Sequence, residues 1–260
     1  MTEIPDAKEK HTTYENFIAR CPSCGFMNVF NRASDLRDLT PIGSKQVNCL
    51  NCCQPFNISG DSINSAYEML IYDCYELRDA KHYMYCILNL AQAFEVFFSQ
   101  YLRVKLLYWP YVTDSMRDIN QLNRLAGFLY GKVKKHPFVA MRNLFFFQVL
   151  RQQSLSSLVE AEASINALPM KPSEPSDNDI KSIADPKLSG LLIRLKYSKV
   201  ADLRNQVIHQ RAYRPTLEEV NDALEETREI LFPLAKKLKM YGDDLNRYIS
   251  KHHQNRRSKS

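Results

Sequence analysis

The pattern of hydrophobic and polar positions is helical through most of the chain after residue 60. Apolar residues recur at spacings of three and four from Ile63 to Tyr75 and again from Tyr83 to Tyr101. That spacing places the apolar side chains on one face of an α-helix. Further helices are predicted at about 114–134, 138–167, 187–212 and 217–248. We therefore expect a mainly α fold in which residues 61–250 form a bundle of about five or six helices.

Three segments interrupt this pattern. Trp109-Pro110 is expected to end the second helix, which starts near residue 81, because the residue before a proline disfavours the helical conformation. Residues 169–186 contain four prolines and predict a long polar loop within the bundle. Residues 251–260 carry four basic and no acidic side chains, which predicts a basic, disordered tail.

Residues 1–60 contain two cysteine pairs that predict a small zinc ribbon. Cys21 and Cys24 form one CxxC motif, and Cys49 and Cys52 form another; 24 residues separate the two motifs. Two such turns on neighbouring hairpins supply the four thiolates of a closed, tetrahedral, structural zinc site, which leaves no position for substrate. Cys53 could replace Cys52 only in a CxxxC turn. Two other cysteines, Cys74 and Cys86, fall on apolar helix faces and are expected in the core.

Composition narrows the possible classes of protein. The chain has only seven glycines and carries neither GxGxxG after a strand nor GxxxxGK[ST], which disfavours Rossmann and P-loop sites. No leader peptide or membrane-spanning run is evident, so we expect a cytoplasmic protein without a membrane partner. The net charge of +6 arises largely from the tail, but six basic residues against one acid between Arg194 and Arg214 could attract phosphate.

The segment RNQVIH, residues 204–209, is the candidate for chemistry. On a helix, Asn205 and His209 lie one turn apart and opposite the apolar stripe of Val200, Leu203 and Val207. The side chain of Arg204 can reach the same place. Taken alone, the three residues favour the polar end of a surface helix, which is a common arrangement.

The wider segments resemble a known superfamily. The segment from Asp202 to Leu231, DLRNQVIHQRAYRPTLEEVNDALEETREIL, resembles the terminal helices of the HEPN superfamily, marked by Arg-Asn-x-x-x-His, a turn and a long acidic-leaning helix. The segment from Glu76 to Phe98, ELRDAKHYMYCILNLAQAFEVFF, resembles that family's earlier helix pair and includes its glutamate, here Glu95. The resemblance spans about 62–249, and an N-terminal zinc ribbon fits as a family variant.

The resemblance implies a metal-independent endoribonuclease that acts as a homodimer, with two copies of the motif facing one cleft. An RNA 2′-hydroxyl would attack the adjacent phosphorus, with His209 as general base or acid and Arg204 stabilising the transition state. Asn205 would orient His209 or hold the phosphate. Glu95 would fix Arg204, or it is structural. The biological role implied is a bacterial antiviral-defence or toxin-type effector.

Two other functions stay open on the sequence. One is a non-catalytic HEPN module that binds a nucleotide or a protein. The other is a zinc-ribbon docking or regulatory protein, in which the acidic helix at 217–229 would meet a basic partner. An intact Arg-Asn-x-x-x-His favours the enzyme, because an adaptor has no need of that trio.

Overall fold

The computed structural model describes residues 16–31, 44–59, 65–210, 213–242 and 245–257. The chain divides into two compact units, Met1–Ser65 and Ala66–Ser260. The first contains strands and the cysteine pairs, and the second is helical. The predicted boundary at 60/61 falls in residues 60–64, outside the described part.

The first unit contains two antiparallel hairpins. Strand β1, Asn16–Arg20, pairs with β2, Met27–Asn31, and strand β3, Ser44–Asn48, pairs with β4, Pro55–Ser59. Each CxxC motif lies in the turn of one hairpin. The buried side chains of this unit form a small cluster comprising Cys21, Phe30, Cys49, Phe56 and Ile58.

The second unit is built from helices, which confirms the prediction of a mainly α fold behind a small ribbon. They are α1 Ala66–Asp79, α2 Tyr83–Arg103, α3 Trp109–Thr113, α4 Ile119–Val133, α5 Phe138–Leu150, α6 Leu158–Asn166, α7 Asp177–Lys181, α8 Pro186–Lys196, α9 Val200–His209, α10 Leu217–Lys237 and α11 Leu245–Arg257. These helices are shorter and more numerous than the five or six predicted. Among the described residues, no helix has the length and hydropathy required to cross a membrane.

Helix α2 is the central element of the helical unit. It packs against α1, α5, α9 and α10. The side chains of Phe94, Phe97 and Phe98 on α2 are fully buried, and the Phe98 and Phe145 rings lie 5.1 Å apart. Burial of this aromatic surface removes apolar area from water and stabilises the helical unit. Because α9 carries RNQVIH, its packing against α2 holds the motif on the rigid part of the bundle.

The expectation that Trp109-Pro110 ends the second helix is wrong. Residues Val104–Tyr108 form a π-helical turn, and the N–H of Trp109 donates to the carbonyl of Val104, five residues earlier. The backbone stays helical through Arg103, Val104 and Trp109 and continues as α3. Pro110 therefore lies inside a continuous helical stretch, in the first turn of α3.

The predicted helix at 138–167 is broken into α5 and α6. Gln152 adopts a positive φ of 46°, which is incompatible with a continuous α-helix. Ser157 then caps α6 by accepting a hydrogen bond from the N–H of Glu160.

The proline-rich loop at 169–186 is more structured than its composition indicates. It contains α7, which Ser176 and Asp179 start with a reciprocal capping box. Ile180 is fully buried, and Arg142 of α5 pairs with Glu174. The loop therefore packs on the bundle through both apolar and charged contacts.

The prediction of a disordered tail from residue 251 is wrong for residues 251–257, which continue α11. This helix is anchored by Tyr248, which is fully buried and donates a hydrogen bond to the carbonyl of Gly242. The Tyr248 ring also meets the ring of Trp109 at a centroid distance of 5.4 Å. The charge of the tail gives no sign of this anchor, which lies upstream of it in a small apolar cluster with Val104 and Val112. Residues 258–260 lie outside the described part.

Candidate functional site

The four predicted ligands Cys21, Cys24, Cys49 and Cys52 converge on one point. Their sulfur atoms all lie within 4.8 Å of one another. The Sγ atoms of Cys21 and Cys52 are 3.8 Å apart, and those of Cys24 and Cys49 are 3.6 Å apart. Four thiols at this spacing can bind one metal ion between them.

The two cysteine turns have the same backbone conformation. In the first, the N–H of Gly25 donates to the carbonyl of Cys21, and in the second the N–H of Cys53 donates to the carbonyl of Cys49. Gly25 and Cys53 both have positive φ, 73° and 57°. Cys53 therefore occupies the backbone position of Gly25 and is exposed, and the structure brings Cys52 into the cluster instead.

The environment of the sulfur atoms favours thiolates with a cation among them. Burial opposes ionisation of Cys49, but the N–H groups of Cys52 and Asn51 donate to its sulfur and lower its pKa to about 6. The N–H of Gln54 assists ionisation of Cys52, yet burial and the neighbouring cysteines raise its pKa to about 12. A bound cation would remove the repulsion that this last thiolate meets.

Asn28 links the two turns and was not identified from the sequence. The residue is fully buried, and its Oδ1 accepts a hydrogen bond of 2.7 Å from the N–H of Leu50 in the second turn. Its Nδ2 donates to the carbonyls of Ala19 and Phe26 in the first hairpin. The side chain thus fixes one cysteine turn relative to the other, behind the sulfur atoms.

Replacing Asn28 with alanine should loosen the metal site without removing a ligand. The N–H of Leu50 and the carbonyl of Ala19 would lose this partner, at a cost of about 1–3 kcal/mol for each group left unsatisfied, while the carbonyl of Phe26 keeps the N–H of Cys21. We expect N28A to release its metal to a chelator faster than the wild type, measured with a colorimetric metal indicator. The exposed Asn57→Ala on β4 is the control, and equal release rates for N28A and the wild type would contradict this role.

Helix α9 carries the RNQVIH residues at its C-terminal end. Val200 and Val207 are buried against the bundle, whereas Asn205 and His209 are exposed one turn apart. The Nη1 atom of Arg204 donates to Oδ1 of Asn205 at 3.2 Å. The helix stops at His209 because Gln210 adopts an extended conformation. All three polar side chains of the motif are therefore accessible together.

Glu95 lies on α2, the helix against which α9 packs, and is half-buried. Burial raises the pKa of Glu95, and the positive charge of Arg204 opposes that rise. The structure therefore brings Glu95 into electrostatic range of the motif. This contact lies between residues more than a hundred positions apart, and only the resemblance to a family indicated it.

Replacing Glu95 with glutamine should make the protein more stable at neutral pH. A carboxyl group whose pKa is raised by folding stabilises the fold at low pH. That contribution declines as the pH rises above the pKa of glutamate in the unfolded chain, about 4.3. Glutamine does not ionise and so removes the decline. In urea unfolding, the free energy of unfolding of E95Q should equal that of the wild type near pH 4 and exceed it near pH 7. The exposed Glu225→Gln should show no such difference. Lower stability of E95Q at pH 7 would mean that attraction to Arg204 outweighs burial.

The basic segment from Arg194 to Arg214 is partly neutralised by the fold. Arg194 pairs with Glu229 at 2.6 Å, and Lys196 pairs with Asp177 at 2.5 Å. Arg211 lies outside the described residues. The positive charge that this segment offers to a phosphate is therefore concentrated at fewer positions than the sequence suggests.

A cavity of about 500 Å³ between α9 and α10 has the opposite charge. Its lining includes one cation, Lys199, and four acids, Asp202, Glu219, Asp222 and Glu226. Two of these acids already serve the fold: Glu226 accepts hydrogen bonds from Ser198 and Lys199, and Glu219 completes the cap of α10. Neither Arg204 nor Asn205 nor His209 lines this cavity.

The likeness to HEPN helices rests on the segments at 76–98 and 202–231. Comparison with protein-family models, with characterised proteins and with solved structures found no match to this chain.

Proposed function

We propose that this protein is an endoribonuclease of the HEPN type that cleaves RNA at Arg204, Asn205 and His209. The observation that carries the proposal is the accessible trio at the end of α9, with Arg204 contacting Asn205 and within the field of Glu95 on α2. A surface helix end that served only for solubility would not need a half-buried carboxylate beneath its arginine.

The chemistry requires no metal at the reacting atoms. His209 accepts the proton of an RNA 2′-hydroxyl while the 2′-oxygen bonds to the adjacent phosphorus. The bond from phosphorus to the 5′-oxygen breaks, and a protonated histidine supplies the proton that this oxygen takes up. The products are a 2′,3′-cyclic phosphate and a free 5′-hydroxyl. Arg204 stabilises the charge on the non-bridging oxygens, and Asn205 holds the phosphate or the imidazole.

One chain offers one histidine at this place, whereas the reaction uses both a base and an acid. A homodimer in which two α9 helices face each other supplies both. Ile208 supports this arrangement, because it lies on α9 between Asn205 and His209 and is 48% exposed. In such a homodimer, the two Ile208 side chains would give the paired α9 helices an apolar contact beside the polar trio.

We further propose that the four-cysteine site binds structural zinc. Zinc–thiolate bonds of about 2.3 Å in a tetrahedron place the sulfurs about 3.8 Å apart. The two pairs at 3.8 and 3.6 Å agree with that separation. Reduced thiolates of this kind suit the cytoplasm, where the RNA targets of a defence or toxin-type effector are found.

The proposal is tested by incubating the full-length protein with a panel of single-stranded and structured RNAs in EDTA. Cleavage is expected, with products carrying cyclic phosphate and 5′-hydroxyl ends on mass spectrometry, and light scattering should give twice the chain mass. Absence of cleavage on every RNA, or products with 3′-hydroxyl ends, would exclude this mechanism and favour a non-catalytic binding module.

A further inference from the structure

A second cavity, of about 850 Å³, lies where the end of α4 and the start of α5 meet the proline-rich loop. None of its lining residues belongs to α9, and none is acidic. The proposed ribonuclease chemistry makes no use of it. Its walls combine an apolar surface, several cations and an asparagine whose buried amide oxygen has no hydrogen-bond partner among the described residues.

One end of this cavity is suited to an anion. Helix α5 has thirteen residues and starts at Pro137, which offers no side-chain cap. Within the part of the chain that the structure describes, the N–H groups of residues 138–140 have no hydrogen-bond acceptor. Unpaired N–H groups at a helix N-terminus attract phosphate. Lys135 and Lys171 line the same cavity and add two positive charges.

The wall of the cavity is apolar and flat. Gly127 and Gly131 of α4 line it without side chains, so the ring of Phe128 stands clear and is 41% exposed. Met170 from the loop, 72% exposed, extends the apolar surface. Lys132 lies 5.3 Å from the Phe128 ring, but its Nζ donates to two carbonyls at the end of α6. An exposed aromatic ring beside free cations is suited to stack a nucleobase.

Asn143 provides the third element and points to what the ligand carries. The residue lines the cavity, is only 6% exposed, and its Nδ2 donates to the carbonyl of Pro172 at 3.2 Å. Its Oδ1 is buried and has no hydrogen-bond partner among the described residues. Because the Pro172 carbonyl requires a donor, the free atom is the acceptor. A buried acceptor calls for an N–H or O–H group from a ligand.

From these three elements we propose that the cavity binds a nucleotide. Its phosphate meets the first turn of α5 with Lys135 and Lys171, its base lies on the apolar wall at Phe128, and an amino group of the base donates to Asn143. A fatty acid would satisfy the cations and the wall but brings no donor for Asn143. The inference does not rest on the proposed ribonuclease, because the two sites share no residue.

The test is calorimetric titration of the full-length His209→Ala protein, in which cleavage cannot consume the ligand. AMP is compared with adenosine, inorganic phosphate and purine riboside 5′-phosphate, which lacks the amino group. AMP is expected to bind at least about ten-fold more tightly than each of the other three. An oligoadenylate of five residues shows whether the bound nucleotide belongs to an RNA strand or is free. Clearly tighter binding than AMP indicates an RNA strand, and equal or weaker binding indicates a free nucleotide.

Glycine substitutions give a matched pair of variants that should both fold. A Cβ at Gly131 or at Gly190 meets nothing within 4 Å, and leucine is the better helix former. Gly131→Leu fills the cavity and should weaken AMP binding by about ten-fold or more, whereas Gly190→Leu on α8 should leave it unchanged. The proposal is overturned if the His209→Ala protein does not bind AMP, if adenosine or phosphate binds equally well, or if Gly131→Leu binds normally.

Discussion

Replacing His209 with alanine is expected to reduce RNA cleavage by about a hundred-fold or more, because general acid–base catalysis contributes about 10²–10⁴ to such reactions. Arg204→Ala should cause a loss of similar size by removing the charge that stabilises the transition state. Both side chains are accessible at the end of α9, so neither change removes core packing. The measurement is the initial cleavage rate of a labelled RNA in EDTA, with the circular dichroism spectrum recorded for each variant.

Matched controls separate catalysis from a general effect of charge. His82→Ala removes an exposed histidine at the start of α2 that forms no side-chain cap, and Arg124→Ala removes an exposed arginine of α4 that pairs with Glu162. Both control variants should cleave at the wild-type rate. If the His209 and Arg204 variants also do so, the trio is no more than a polar helix end, and the ribonuclease proposal fails.

Replacing Cys49 with serine should unfold the N-terminal unit. Metal binding by a four-thiolate site of this type contributes about 10–16 kcal/mol to folding, far more than a core of a few residues supplies. Cys49 is buried among the other three sulfur atoms, so no neighbouring group can take its place. We expect C49S to contain less than one zinc per chain by elemental analysis and to be cleaved rapidly by protease within the first 65 residues.

Cys53 is the natural control for this loss, since it adjoins a ligand but lies outside the cluster. It adopts a positive φ of 57°, a conformation that costs an ordinary residue about 1 kcal/mol and glycine very little. Cys53→Gly should therefore keep one zinc per chain and resist the protease at least as well as the wild type. Loss of metal in C53G together with retention in C49S would mean that the ligand set has been assigned wrongly.

The cysteine cluster shows which parts of a site can be predicted from sequence. The spacing of the CxxC pairs identifies all four residues that converge, because a tight turn brings two thiols to one side. The spacing does not identify Asn28, which holds the two turns together through contacts to Ala19, Phe26 and Leu50. A buried asparagine in a short strand has no local pattern that distinguishes it from an exposed one.

In the helical unit, periodicity predicted the helical segments and their buried faces. It did not predict where the individual helices end. The break at Gln152 depends on a backbone conformation that its side chain does not specify. The helix through Trp109-Pro110 depends on a π-helical turn that starts six residues before the proline. Likewise, the proximity of Glu95 to Arg204 arises from the packing of α9 on α2, which no spacing within either helix reveals.

The π-helical turn at Val104–Tyr108 has a consequence for how the helical unit tolerates insertions and deletions. Such a turn holds one residue more than an α-helix of the same rise, and one residue turns a helix by about 100°. Helix α2 before the turn packs against α5, α9 and α10, and Trp109 beyond it packs against Tyr248 of α11. Because the wide turn absorbs its extra residue, deleting one residue between 104 and 108 should give a regular helix that still presents Trp109 to Tyr248. Deleting one residue from the α-helical part of α2 would instead turn Trp109 by about 100° away from Tyr248.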